Sequence, residues 1–229
     1  TADMLEHPGV KTPFPGATLT QFRKALKEAD ASGAQVLVLV LFGDDMVRAL
    51  TLAHQMGLKK KMTVVVPNLE LGMAQQAGAG IMEGVIGAVP WTWQVPYAHG
   101  YEAGQRFVEA YSARYGKRPS SSAASAYTIV HEYKDAVERA GTFDTGKVIA
   151  ALEGHTYQRL KDPQVWRAFD HQSVQTVYAV RGKPWESVMA DPYRADFFEL
   201  LDSLPGEAAA RTRDEWVAAR TAAGRPASL

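Results

Sequence analysis

The sequence predicts an α/β protein with an open parallel sheet and flanking helices, on three observations. Short valine-rich runs alternate with amphipathic stretches through the first ninety residues. Two of those runs, "AQVLVLVLF" and "MTVVVPN", are too short for helices and continuous enough to be strands covered on both faces. Strand, helix, strand, helix, strand in close succession leaves right-handed crossovers as the joining rule, which makes the sheet parallel.

The elements follow in order. "ATLTQFRKALKEADASG" places Leu19, Phe22, Ala25, Leu26 and Ala29 at helical spacing and stops at Gly33. After the first strand, "DDMVRALTLAHQMG" is helical, with Met46, Val47, Leu50 and Ala53 on one side. The second strand ends at Pro67, which has no amide hydrogen for a sheet interior. A short helix over about 69–77 and a third strand over 81–89 complete the alternation.

The middle third changes character. "YEAGQRFVEAYSARYG" and "SAASAYTIVHEYKDAVERAG" are amphipathic helices, and "DTGKVIAALEG" is a third with Asp144 or Thr145 as its cap. "VQTVYAV" is a further strand, and the chain from Asp191 reads as surface helices. About four strands for about seven helices leaves the mid-chain helices without a sheet. Either strands are disguised, or part of the sheet lies outside these 229 residues.

Composition removes several functions. Lys plus Arg and Asp plus Glu number 25 each, so no net field draws nucleic acid or anionic lipid. The run Lys59-Lys60-Lys61 fits a solvated turn. With no cysteine, disulfides, thiolate metal sites and cysteine nucleophiles are excluded. Six histidines (His7, His54, His99, His131, His155 and His171) share no metal-ligand spacing, and neither a metal nor a cofactor is expected. No window is long and apolar enough for a membrane span, and "TADMLEHPGV" has no signal-peptide core. No nucleophile elbow, zincin motif, phosphate loop or dinucleotide fingerprint is present.

Several stretches carry both a structural and a functional reading. Asp44-Asp45 opens a helix, where carboxylates complement the dipole, yet it also follows a strand's carboxyl end, where ligands sit. In "WRAFDHQ", Arg167, Asp170 and His171 form either a hydrogen-bond network or a catalytic His–Asp pair. "SSSAAS" is sufficient as helix capping, and "AGAG" is a plain loop. "GVIGAVPWTWQVPY" packs Trp91, Trp93 and Tyr97 beside Pro90 and Pro96 where a strand ends. Those rings are core, or they wall a cleft. In an extended chain Trp91 and Trp93 would point to one side.

"ASGAQVLVLVLFGDDMVRALTLAHQMGLKKKMTVVVP", "MEGVIGAVPW", "YSARYGKRPSSSAASAYTIVHEYKDAVERAG", "ALEG" and "WRAFDHQ", in that order, resemble the leucine/isoleucine/valine-binding, type I periplasmic class of solute receptor that serves ABC importers. The resemblance implies two α/β lobes joined by three crossings and closing like a jaw on a small molecule. It divides the chain into a second-lobe portion at 1–88, a crossing and first-lobe helices at 89–165, and a return crossing with second-lobe strand and C-terminal helices at 166–229. It implies a C-terminal portion lacking most of the first lobe's sheet, which leaves the mid-chain helix faces bare unless that lobe, in this or a partner chain, covers them. Ligand-binding positions carried over are Phe42, Gly43, Asp44, Asn68, Trp91 and Trp93. Asn68 stands where amino-acid-binding members often place an acid for the ammonium group. The implied partners are a small solute and a membrane ABC permease, with no nucleic acid. The implied place is periplasmic or extracellular, lipid-anchored or soluble after removal of a signal. A ligand-sensing regulator of the same fold, or a hydrolase using Asp170 and His171, are the alternatives.

Overall fold

A computed structural model describes residues 9–228; His7 and the first residues of the N-terminal stretch lie outside the described residues. The chain forms two compact units. One runs up to Val89 and takes back Ala179–Leu201; the other takes Pro90–Tyr178 and the chain from Asp202 on.

The first unit is built on a five-stranded sheet. Helix α1 (Leu19–Ala31) starts with a reciprocal cap, the Thr18 hydroxyl accepting from the Gln21 amide while the Gln21 side chain accepts from the Thr18 amide. Then come β1 (Val36–Val38), α2 (Gly43–Gln55), β2 (Thr63–Val66), α3 (Leu71–Ala77), α4 (Ala79–Met82) and β3 (Ile86–Val89). After the second unit, the chain returns as β7 (Val177–Gly182), α9 (Trp185–Ala190) and β8 (Phe198–Leu204). The sheet order is β1-β2-β3-β7-β8, and β1–β2 and β2–β3 pair in parallel, Val36 opposite Thr63 and Val65 opposite Ile86. The core holds Phe22, Met46, Leu50, Leu58, Leu69, Met82 and Val85, each 2% exposed or less.

Four expectations need correction. β1 is not covered on both faces: Leu37 and Leu39 are buried while Val36, Val38 and Val40 are exposed, the period-2 alternation of a strand with one covered face. The third strand starts at Ile86, since residues from Ala79 coil into α4 and turn at Gly84. β8 was not anticipated, the region having read as helical. The segment after Val89 is not extended but turns, Val95 N–H donating to Thr92 O at 3.0 Å, into α5 (Val95–His99).

The second unit carries α6 (Glu102–Tyr115), α7 (Ser121–Ala140) and α8 (Thr145–Leu152). Ser120 and Asp144 cap α7 and α8 by accepting from Ala123 N–H and Lys147 N–H. The disguised strands are here: β4 (Thr156–Tyr157), β5 (Gln164–Trp166) and β6 (Ser173–Val174) form a small antiparallel sheet. Two short helices, α10 (Gly206–Ala209) and α11 (Arg213–Ala222), end the described chain.

Candidate functional site

Within the first unit, the sequence-predicted positions gather at the carboxyl ends of neighbouring parallel strands. Phe42 and Asp44 are exposed at the β1–α2 turn, where Gly43 takes a left-handed φ of 60°. Asp44 Oδ1 accepts from Gln76 Nε2 at 3.0 Å. Asp45 is buried and accepts from Gly16 N–H at 3.2 Å, so both carboxylates also complement the first turn of α2. Asn68 is exposed two residues past the end of β2.

The two tryptophans have separate surroundings in the second unit. Trp91 is 4% exposed and meets Phe107 edge-on at 6.1 Å. Trp93 meets Tyr97 edge-on at 6.3 Å, and the Arg118 guanidinium lies 4.5 Å from its ring centre. The turn at Thr92 separates them. Trp91 is core, and it also lines a pocket of about 100 Å³ between α7 and the small sheet.

That pocket brings together residues the sequence did not single out. Tyr157, Lys161, Gln164, Trp166 and Gln175 line it with Trp91. Tyr157 and Trp166 stack at 5.5 Å, and Gln164 Nε2 donates to Gln175 Oε1 at 2.8 Å. Lys161, 3% exposed, donates to the carbonyls of Pro90 and Thr176, each at 2.7 Å. Burial lowers its pKa from the ordinary lysine value to about 8, against the raising effect of Asp162. Asp162 accepts from the Thr176 hydroxyl at 2.5 Å and the Tyr178 hydroxyl at 3.3 Å. Burial, then the Asp162 charge, pushes the Tyr178 hydroxyl up. The indole nitrogens of Trp91 and Trp166 have neither a partner nor accessible surface, each costing on the order of 1–3 kcal/mol. Nothing in the sequence marks Lys161, since its acceptors lie 71 and 15 residues away.

Two charged clusters brace this unit. Glu132, 1% exposed, accepts from Arg159 Nε at 2.8 Å, and Arg159 also pairs with Asp135. Arg167 holds Asp170 with two hydrogen bonds, at 2.9 and 2.6 Å, and its donation keeps the Asp170 carboxyl below the usual range. His171 turns to Glu153 instead, at 2.7 Å, with a left-handed φ of 54°. Asp170 and His171 therefore belong to different pairs, and the bracing network is the reading that stands. Among the described residues no cluster of three metal-ligating side chains occurs, and no helix is long and apolar enough to cross a membrane.

The chain passes three times between the two units, at 89/90, 178/179 and 201/202. The chain belongs to the periplasmic binding protein family, whose model matches residues 4–187. It is 26% identical to a periplasmic binding protein from Burkholderia mallei, covering 90% of this chain and 52% of that one at a TM-score of 0.77. It is 28% identical to an amino acid ABC transporter substrate-binding protein from Pseudomonas fluorescens Pf-5, covering 89% of this chain and 53% of that one at 0.75. A branched chain amino acid ABC transporter periplasmic ligand-binding protein from Burkholderia xenovorans LB400 is 26% identical, covering 88% of this chain and 52% of that one at a TM-score of 0.72. The chain thus spans about half the length of each. No curated protein is similar enough to register as a match. The family and these neighbours are substrate-binding proteins rather than enzymes.

Proposed function

We propose that this chain is the C-terminal portion of the substrate-binding component of an ABC importer. It takes a small organic solute, a branched-chain or aromatic amino acid, an amide or a related acid, by closure of two lobes, and delivers it to a membrane permease. The place of work is periplasmic or extracellular. The observation that carries the reading is the likeness of nearly the whole chain to binding proteins of amino acid importers at 26–28% identity.

In this reading residues 1–88 are second-lobe, 89–165 are the crossing and first-lobe helices, and 166–229 hold the return crossing, the second-lobe strand and the C-terminal helices. Phe42, Gly43, Asp44 and Asn68 are the second lobe's solute contacts, and Trp91 and Trp93 are contacts on the far side of the crossing. Asn68 supplies an amide in place of a charge, which weakens an α-amino-acid assignment and leaves an amide or a neutral or acidic solute open. The first lobe's sheet is the missing cover: Tyr127, Val130 and Tyr133, three residues apart along α7, are 40%, 67% and 50% exposed.

The test is thermal unfolding of the chain joined to a first-lobe segment, against a panel of leucine, isoleucine, valine, phenylalanine, benzoate and acetamide. A ligand at 100 times its dissociation constant raises stability by about 2.7 kcal/mol, and Trp91→Ala reduces that gain. A panel without any shift contradicts the reading.

A further inference from the structure

We infer that Lys161 is a positioning residue, whose ammonium ties together the two segments by which the chain enters and leaves the second unit and so sets the placement of the Trp91 wall. Pro90 is the first residue of that unit and Thr176 lies two before its Tyr178 boundary. The Nζ of Lys161 reaches both peptide carbonyls at 2.7 Å from the connection between β4 and β5. Its neighbour Asp162 grips the same exit segment through the Thr176 and Tyr178 hydroxyls. One dipeptide therefore holds both passages, its cation on carbonyls and its anion on hydroxyls. Pro90 shares its peptide group with Trp91, so a shift of that carbonyl moves the indole's anchoring backbone.

Both acceptors are neutral carbonyls, and among the described residues no carboxylate accepts a hydrogen bond from Nζ. The titratable groups around it are Asp162 beside it, Tyr178 of β7 with its ring centre 5.4 Å away, and Tyr157 of β4 across the pocket. Behind Tyr178 stand His99 of α5, 5.9 Å between ring centres, and Tyr101, which stacks on His99. The faces of α7, β5 and β6 toward the pocket carry no titratable group. With the ammonium titrating at about 8, mildly alkaline solution leaves an amine whose hydrogen bonds are weaker than the charge-assisted ones. The inference concerns the second unit alone and needs no solute.

The amide groups of Trp91 and Val177 share peptide units with the two acceptor carbonyls, so their ¹⁵N resonances report each hydrogen bond separately. Between pH 6.5 and 9.5 both are expected to titrate together in the wild-type chain, with one midpoint near 8. K161M should abolish the titration and displace both resonances, whereas K161R should hold both near their wild-type neutral-pH positions without titrating. The wild-type and K161R titrations decide the matter even if K161M fails to fold. Resonances that stay flat in the wild type, that titrate with different midpoints, or that titrate unchanged in K161M overturn the inference.

Discussion

Removing the Arg159 guanidinium by Arg159→Met strands a buried charge. Glu132 is 1% exposed on α7, and the Arg159 Nε hydrogen bond at 2.8 Å is its principal compensation. What remains is His155 Nε2 at 3.5 Å, itself 30% exposed. Breaking one side of a buried pair costs about 3–5 kcal/mol. Arg159 is 26% exposed and His155 persists, so the low end applies, about 3 kcal/mol. Asp135 also loses a partner, but it keeps Lys134 at 3.6 Å and lies near the surface, which adds less than about 1 kcal/mol. For a chain of 229 residues such a loss lowers the melting temperature by about 6–12 °C. Calorimetry and urea unfolding followed by circular dichroism measure it. The variant Glu132→Leu with Arg159→Met removes both charges and should recover most of the loss, because no uncompensated carboxylate remains. A single-variant loss below about 1 kcal/mol, or a double variant no better than the single, refutes the reasoning.

Three further outcomes are expected. Gly182→Ala places a Cβ 1.9 Å from Met82 O and 2.7 Å from Met82 C, a backbone wall that cannot yield, so urea unfolding should show a loss of about 2–3 kcal/mol. His171→Ala leaves Arg167–Asp170 intact at an exposed position and should change stability by less than about 0.5 kcal/mol in the same assay; a large loss would make His171 part of the brace. Lys161 imposes a desolvation penalty in full below its folded pKa of about 8; above it the folded state sheds the proton while the unfolded chain keeps it up to about 10.4. Wild-type stability relative to K161M should therefore rise by about 1–2 kcal/mol between pH 7 and 9.5, measured by urea unfolding. A difference that stays constant or falls would contradict that sign.

Much of the fold is legible because its signals are local. The Ser120 and Asp144 caps, the Gly116 and Gly141 stops with left-handed φ of 63° and 65°, and the valine runs each act within a few residues. β8 escaped because "FELLDSL" is buried chiefly at Phe198, its remaining residues being mostly exposed, so no period-2 pattern is imposed on it. α4 escaped because a four-residue helix between glycines carries no periodicity. The exposed positions of Phe42, Asp44 and Asn68, past the ends of β1 and β2, were readable from where parallel strands end. Lys161 and the Glu132–Arg159 pair were not, because each depends on partners 15 to 71 residues away. Trp91 and Trp93 were visible as aromatics, but the Thr92 turn that parts them was not.

Isothermal titration of the chain, joined to its first-lobe segment, with the solute that most raises its melting temperature tests the receptor reading directly. The account predicts saturable one-to-one heats and a negative heat-capacity change, as apolar surface leaves water. Sustained heat flow that signals turnover of the solute, or no heat at any temperature, would contradict it.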